Sequence, residues 1–347
     1  MKVVFSEQQL RHEPENYFVC GRLAPHPEQP ERARRLLSAA RASGLTLAEP
    51  PPTPLNDLGK LHSKRYLTFL ENVFARWAHI EDAASEVVPG IHPTDYADLA
   101  DASYPASSSG QAGRHQIDLS SPIGRHTFSS ALWSARAAAH AAEQVLGNKA
   151  ACYALARPPG HHAGREFAAG FCYLGNSALA AQVLRRGHDK VAVLDIDVHH
   201  GNGTQDIFYE RADVLTVSIH ADPQRFYPFH WGYAHETGRD AGAGCNLNLP
   251  LPRGTTDAEY EPALDTALDA IHRFNATALV VALGLDAHES DPFQGFAITT
   301  AGFAHIARRI ASLGLPTVLV QEGGYLSDPL GDNLSAVLEG FAAGSSA

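Results

Sequence analysis

Short apolar runs alternate along this chain with longer, alanine-rich stretches whose apolar positions recur every three or four residues. The runs at 2–5 (Lys-Val-Val-Phe), 191–196, 214–219 (Val-Leu-Thr-Val-Ser-Ile), 278–283 (Ala-Leu-Val-Val-Ala-Leu) and 316–320 (Pro-Thr-Val-Leu-Val) predict buried strands. Helices are predicted over about 30–42, 64–77, 128–146, 175–187, 258–273 and 300–312; in the last, Ala301, Phe303, Ala304, Ile306, Ala307 and Ile310 keep a helical period. Alternation of this kind predicts an α/β fold with a mostly parallel sheet covered by helices on both faces. One segment breaks the pattern. From about Glu81 to Arg125 the chain is rich in Pro, Ser, Gly and Asp with little periodicity. So long a connection is uncommon inside a compact domain unless it has a function. A lid over an active site or an arm for oligomerisation is expected there, ahead of a disordered linker.

Composition narrows the class. The 347 residues are read as one α/β domain, and a hydrophobic fraction of 44% suffices for a full core. No stretch approaches the roughly 20 apolar residues of a membrane span, and Met1 to Leu10 lacks the basic-then-apolar pattern of a secretory leader. A cytoplasmic protein is expected. Cys20, Cys152, Cys172 and Cys245 are widely spaced with no Cys-x-x-Cys pair, which disfavours both a zinc knuckle and a disulfide framework. A net charge of −11 disfavours nucleic acid as a partner and mildly favours a cationic substrate.

Chemistry gathers where apolar runs end. Residues 193–205 read Val-Leu-Asp-Ile-Asp-Val-His-His-Gly-Asn-Gly-Thr-Gln. Along an extended chain Asp195, Asp197 and His199 fall on one face while Ile196 and Val198 pack on the other. Carboxylates and an imidazole in that layout suit Zn2+ or another borderline divalent cation. In Arg157-Pro-Pro-Gly-His-His-Ala163 the prolines and glycine force an irregular loop that can hold His161 and His162, candidate acid/base groups. Asp286, in Gly284-Leu-Asp, exits its strand as Asp197 does and can complete an Asp/His/Asp site with an open position, as catalytic zinc requires. Glu322-Gly-Gly-Tyr325 offers a backbone free to approach a ligand and a hydroxyl able to donate to an oxyanion. Such elements at the strand ends of one parallel sheet point to a single crevice.

Together, Arg-Pro-Pro-Gly-His-His-Ala at 157–163, Gly-Phe-Cys-Tyr-Leu at 170–174, Asp-x-Asp-x-His-His-Gly-Asn-Gly-Thr-Gln at 195–205, Gly-Leu-Asp at 284–286 and Glu-Gly-Gly-Tyr at 322–325 resemble the zinc-dependent histone deacetylase superfamily. Phe-Ser-Glu at 5–7, Gln-Asp-Ile-Phe-Tyr-Glu-Arg at 205–211, Gly-Tyr-Ala-x-Glu-Thr-Gly at 232–238 and the irregular insertion look most like its bacterial acetylpolyamine amidohydrolase branch.

The resemblance implies the arginase-deacetylase α/β fold and a homodimer in which each insertion narrows the partner's active site. It implies Zn2+, with Fe2+ as the alternative, held by Asp197, His199 and Asp286. It assigns Tyr325 to polarise the scissile carbonyl, His162 as general base, His161 as its electrostatic partner, Asp195 to orient His161 and Asn202 to orient His162. A structural K+ is implied at Asp195, Asp197, His199, Ser218 and Ile219, and a second cation near Phe208, Arg211 and Val214. Gly170, Phe171 and Tyr227 would wall a substrate channel, with Phe293 at its rim.

The resemblance also marks a departure. The branch uses acidic insertion residues to attract remote ammonium groups, yet between Ser107 and Arg125 only Asp118 is acidic, beside Arg114 and His115. Phe293 stands where a polyamine-selective eukaryotic relative carries a glutamate. Asp118, Asp95, Asp98 and Asp101 are the residues left to supply that charge. The expected function is removal of acetyl groups from small amines such as acetylpolyamines. The alternatives are deacetylation of acetyl-lysine in proteins or of other small amides, and a non-catalytic protein that binds acetylated ligands.

Overall fold

The computed structural model describes residues 1–93, 104–147 and 150–345. Its strands are β1 (Lys2–Val4), β2 (Asn16–Val19), β3 (Arg22–Pro25), β4 (Thr46–Ala48), β5 (Ala151–Ala154), β6 (Val191–Asp195), β7 (Val214–Ala221), β8 (Asn246–Leu251), β9 (Ala278–Leu283) and β10 (Thr317–Gln321). Its helices are α1 (Pro30–Ala42), α2 (Leu58–Leu61), α3 (Lys64–Trp77), α4 (Ser108–His115), α5 (Thr127–Leu146), α6 (Asn176–Leu184), α7 (Asn202–Phe208), α8 (Asp257–Phe274), α9 (Thr300–Ala311) and α10 (Leu330–Gly344).

Eight strands form one sheet in the order β4-β1-β5-β10-β9-β6-β7-β8, and every pairing in it is parallel. Each central strand divides its side chains between two cores. Ala192, Leu194, Leu279 and Val281 face the core built with α1, α8, α9 and α10. Val191, Val193, Ala278 and Val280 face the one built with α3, α5 and α6. Burial on both faces is why these strands read as continuous apolar runs. The helix ends follow local chemistry. Ser63 caps α3 by accepting from the Tyr66 N–H (3.1 Å), and Thr256 with Glu259 forms a capping box on α8.

The strand order positions the site. β5, β10, β9 and β6 are neighbours at the sheet centre, and the four motif-bearing segments, 157–163, 322–325, 284–293 and 195–202, leave from their carboxyl ends. That is the crevice where open parallel sheets bind ligands.

The structure adds to the predicted elements. α10, the edge strands β4 and β8, and the antiparallel β2–β3 hairpin were not among them. β6 ends at Asp195, so Asp197 and His199 sit on its extended exit rather than on the strand itself. The described part of the 81–125 segment has structure of its own. It contains α4, pairs Val87 with Ile123, and is fastened by Gln116 Nε2, which donates to Val87 O (2.9 Å) and Ser121 O (2.8 Å). Asp95, Asp98 and Asp101 lie outside the described residues. Among the described residues no helix is long and apolar enough to cross a membrane.

Candidate active site

Asp197, His199 and Asp286 converge as the motifs predicted. All are buried, and their candidate ligand atoms lie within 4.8 Å of one another. His199 Nδ1 is 3.1 Å from both Asp197 Oδ1 and Asp286 Oδ2. Burial and the Asp197 charge push the Asp286 carboxyl up to about 6, while the two carboxylates outweigh burial to hold the His199 imidazole up at about 9. Two buried carboxylates facing one imidazole concentrate negative charge that a divalent cation would neutralise. This donor set fits Zn2+ or Fe2+. The approach requires glycine on both sides. A Cβ at Gly323 would lie 2.2 Å from Asp286 Oδ2 and 2.5 Å from Asp197 Oδ2, and one at Gly284 2.3 Å from Asp197 Oδ2.

A second cluster, His161, Cys172 and Glu322, is equally tight but has no donors to spare. Glu322 already accepts from Gly160 N (2.6 Å), His161 N (3.0 Å) and Ser177 Oγ (2.6 Å), and burial keeps the Cys172 thiol protonated. Its function is to fix the loop carrying the paired histidines.

Those histidines differ in charge state. His161 Nδ1 lies 3.0 Å from Asp195 Oδ2, and although burial alone would lower its pKa, Asp197 and Asp195 drive it up to about 10. His162 faces Asn202 instead, with Nδ1 2.7 Å from Oδ1. Burial first, then the neighbouring His161 and His199 charges, hold it well below the ordinary value. It is therefore neutral. Because Asn202 Oδ1 can only accept, His162 Nδ1 carries the hydrogen and Nε2 keeps its lone pair. Gly170, at φ +51, is forced by the same ring, since a Cβ there would come within 2.2 Å of His162 Cδ2.

Tyr325 is buried, and burial raises its phenol well above 10, so it remains a donor. Its position comes from residues that the motifs did not single out. Arg32, on α1, donates through Nη2 to Glu322 O (2.8 Å) and through Nε to Gly324 O, with its guanidinium 4.8 Å from the Tyr325 ring centre. Asp291 accepts from Tyr325 N and Phe293 N, both at 2.9 Å. Glu28 lies 2.7 Å from the Arg32 guanidinium and 2.8 Å from that of Arg157. The signal for Arg32 was its place in a helix whose other arginines are exposed, which the sequence does not reveal.

The site opens into a cavity of about 510 Å3 lined by His162, Gly170, Phe171, His199, Tyr227, Phe293 and Tyr325, among others. All the expected channel residues line it. Asp118 does too, but as a brace between its walls. Its Oδ2 accepts from Gly170 N (2.8 Å) and Tyr227 OH (2.6 Å), and its Oδ1 from Ser120 N (3.0 Å). It is the only carboxylate lining that cavity among the described residues. Ser218 is in register with Asp195 across β6 and β7, and its Oγ lies 2.8 Å from His220 Nδ1.

Residues 26–341 match the histone deacetylase domain. The chain is 44% identical over 347 residues to the acetylpolyamine amidohydrolase of Burkholderia pseudomallei, with 99% of each covered. It is 39% identical over 346 residues to acetylpolyamine amidohydrolase 1 of Pseudomonas aeruginosa, covering 98% of this chain and 99% of that one. A crystal structure of acetylpolyamine aminohydrolase from Burkholderia pseudomallei aligns over 99% of both chains with a TM-score of 0.95 at 44% identity. With the parallel sheet and the motif positions described above, these matches establish that the chain belongs to the histone deacetylase family and shares its α/β fold.

Proposed function

We propose that the chain is a zinc-dependent amidohydrolase that removes acetyl groups from small amines such as acetylpolyamines. The observation that carries this reading is the convergence of a buried Asp/His/Asp donor set, a neutral histidine and a protonated tyrosine at the end of one aromatic cavity. The names of the relatives above support the substrate class.

An amide resists hydrolysis because water is a poor nucleophile and an amine a poor leaving group. Asp197, His199 and Asp286 would hold a divalent cation, which when bound would supply Lewis acidity, enough to lower the pKa of a water to roughly 7. His162 Nε2 takes the proton of the attacking water and passes it to the departing nitrogen. Tyr325 donates to the oxygen as negative charge develops there. His161, held by Asp195, places positive charge beside His162 and keeps it neutral before the reaction. Phe171, Tyr227 and Phe293 enclose a slender alkyl chain and exclude water from it.

The reading extends to one catalytic domain over 1–347, a structural potassium at Asp195, Asp197, His199, Ser218 and Ile219, a second copy of the chain closing each channel, and a cytoplasmic setting. Hydrolysis of acetyl-lysine in proteins is the second reading. It is favoured by the rim, where Asp118 is already engaged by Gly170 and Tyr227. Turnover of acetylputrescine and of an acetyl-lysine peptide by the zinc-loaded protein separates the two. Greater kcat/KM on the peptide selects the second, and no hydrolysis of either by zinc- or iron-loaded protein rejects the amidohydrolase assignment.

A further inference from the structure

His200 follows a proposed metal ligand but has no part in the chemistry above, and the Gly-Tyr-Ala-x-Glu-Thr-Gly run at 232–238 has none either. The structure joins them. His200 is 1% exposed, and its Nε2 lies 3.1 Å from Gln205 Oε1 and 3.2 Å from Asn248 Oδ1. Both partners are acceptors, so Nε2 is the protonated nitrogen. Gln205 sits on α7, one turn after Asn202. Its Nε2 donates to Glu236 Oε2 (2.6 Å), an oxygen that also accepts from Gly232 N (3.0 Å) and Asn248 Nδ2 (3.3 Å). Asn246 Nδ2 donates to Gln205 Oε1 (2.9 Å) and to Glu236 O (2.6 Å), and Asn248 Nδ2 to Tyr233 O (3.2 Å). His220 Nε2 binds Gly232 O at 2.8 Å. Gly232, at φ +105, is required because a Cβ would meet the His200 and His220 rings at 2.8 Å.

The network connects two parts of the site. The loop between β7 and β8 (222–245) carries Tyr227 to Trp231 along the cavity. α7 begins with Asn202, which orients His162. Gln205 is bonded both to the loop, at Glu236, and to strand β8, at Asn246 and Asn248. We propose that His200, Gln205 and Glu236 are positioning residues that lock the channel wall to α7, so that the wall and the Asn202–His162 pair take up their working geometry together. This rests on the base role given to His162 above. Buried networks whose members share partners act as a unit, and their deletions are not additive.

The test is a double-mutant cycle on the zinc-loaded full chain with a fluorogenic acetyl-lysine amide. Glu236→Ala, far from the metal ligands in sequence and partly exposed, is expected to lower kcat about tenfold and to raise KM, a coupling of the usual size for such networks. Asn202→Ala lowers kcat by itself. If Glu236 acts through Asn202, the double variant has the kcat of Asn202→Ala, with only the KM effect added. His200→Leu should behave like Glu236→Ala, and His200→Gln, whose amide nitrogen can replace Nε2, should restore most of the loss. Glu236→Asp, which withdraws the carboxylate by one methylene, serves the same cycle if Glu236→Ala does not fold. Multiplicative kcat losses in the double variant overturn the proposal. So does a Glu236→Ala protein with a lower Tm but unchanged kcat and KM. An Asn202→Ala variant with parental kcat overturns the orienting role of Asn202, and the proposal with it, whereas parental kcat in His162→Ala overturns the base assignment.

Discussion

Replacing Glu28 with glutamine keeps its shape and removes the charge that two buried guanidiniums share. Glu28, Arg32 and Arg157 are at most 2% exposed. Burial works against the Glu28 carboxylate, but Arg157 and Arg32 bring its pKa from 4.5 down to about 2. At about 1.4 kcal/mol per pH unit that depression corresponds to about 3 kcal/mol of stability. An independent figure agrees, since removing one member of a buried ion pair costs about 3–5 kcal/mol. The sign sets the pH window. A depressed carboxyl contributes fully above its unfolded value of 4.5, and the contribution is lost as pH falls through about 2. The stability gap between parent and Glu28→Gln should therefore be flat at about 3 kcal/mol from roughly pH 6 to 8 and narrow as pH falls to 4. Urea unfolding of both zinc-loaded proteins between those limits measures it. A gap under about 1 kcal/mol at neutral pH, or one that widens toward pH 4, refutes the reasoning. Because Arg32 holds the carbonyls of Glu322 and Gly324, the variant should also lose kcat with its zinc content unchanged.

Tyr325→Phe should retain stoichiometric zinc and lose about 10²–10³ in kcat, as loss of an oxyanion donor does elsewhere; near-parental turnover removes its role. Gly323→Ala places a methyl group inside contact distance of both metal-facing carboxylates, so elemental analysis should find the protein depleted of metal, and full occupancy contradicts the geometry. Asp118→Leu frees Gly170 N and Tyr227 OH together, and at about 1–3 kcal/mol for each buried group left unpaired KM should rise at least tenfold. An unchanged KM on both acetylputrescine and an acetyl-lysine peptide rules out its bracing function.

The donor set was legible because its grammar is local. A buried parallel strand has no place for a carboxylate except at its end, so Asp195, Asp197 and Asp286 after apolar runs report both the topology and the site. Arg32 shows where that grammar stops. It lies in Pro-Glu-Arg-Ala-Arg-Arg, a run that looks like an ordinary solvated helix face, and the carbonyl it serves is 290 residues away. α10 was missed for a related reason. Gly331, Gly340 and Gly344 lower its helix propensity, by about 1 kcal/mol each relative to alanine, and conceal the element. Yet a Cβ at Gly340 would lie 2.2 Å from Ala304 O, and one at Gly344 2.4 Å from Arg308 O. Gly340 and Gly344 therefore let α10 dock against α9, and packing overrides the propensity they cost. Asp118 followed the opposite course. Its charge was legible and suggested a hand held out to a cation, but its partners on Gly170 and Tyr227 come from two separate stretches of chain. Only the assembled channel shows that the carboxylate is occupied in holding its own walls, which moves the question of substrate choice from that residue's charge to the shape it maintains.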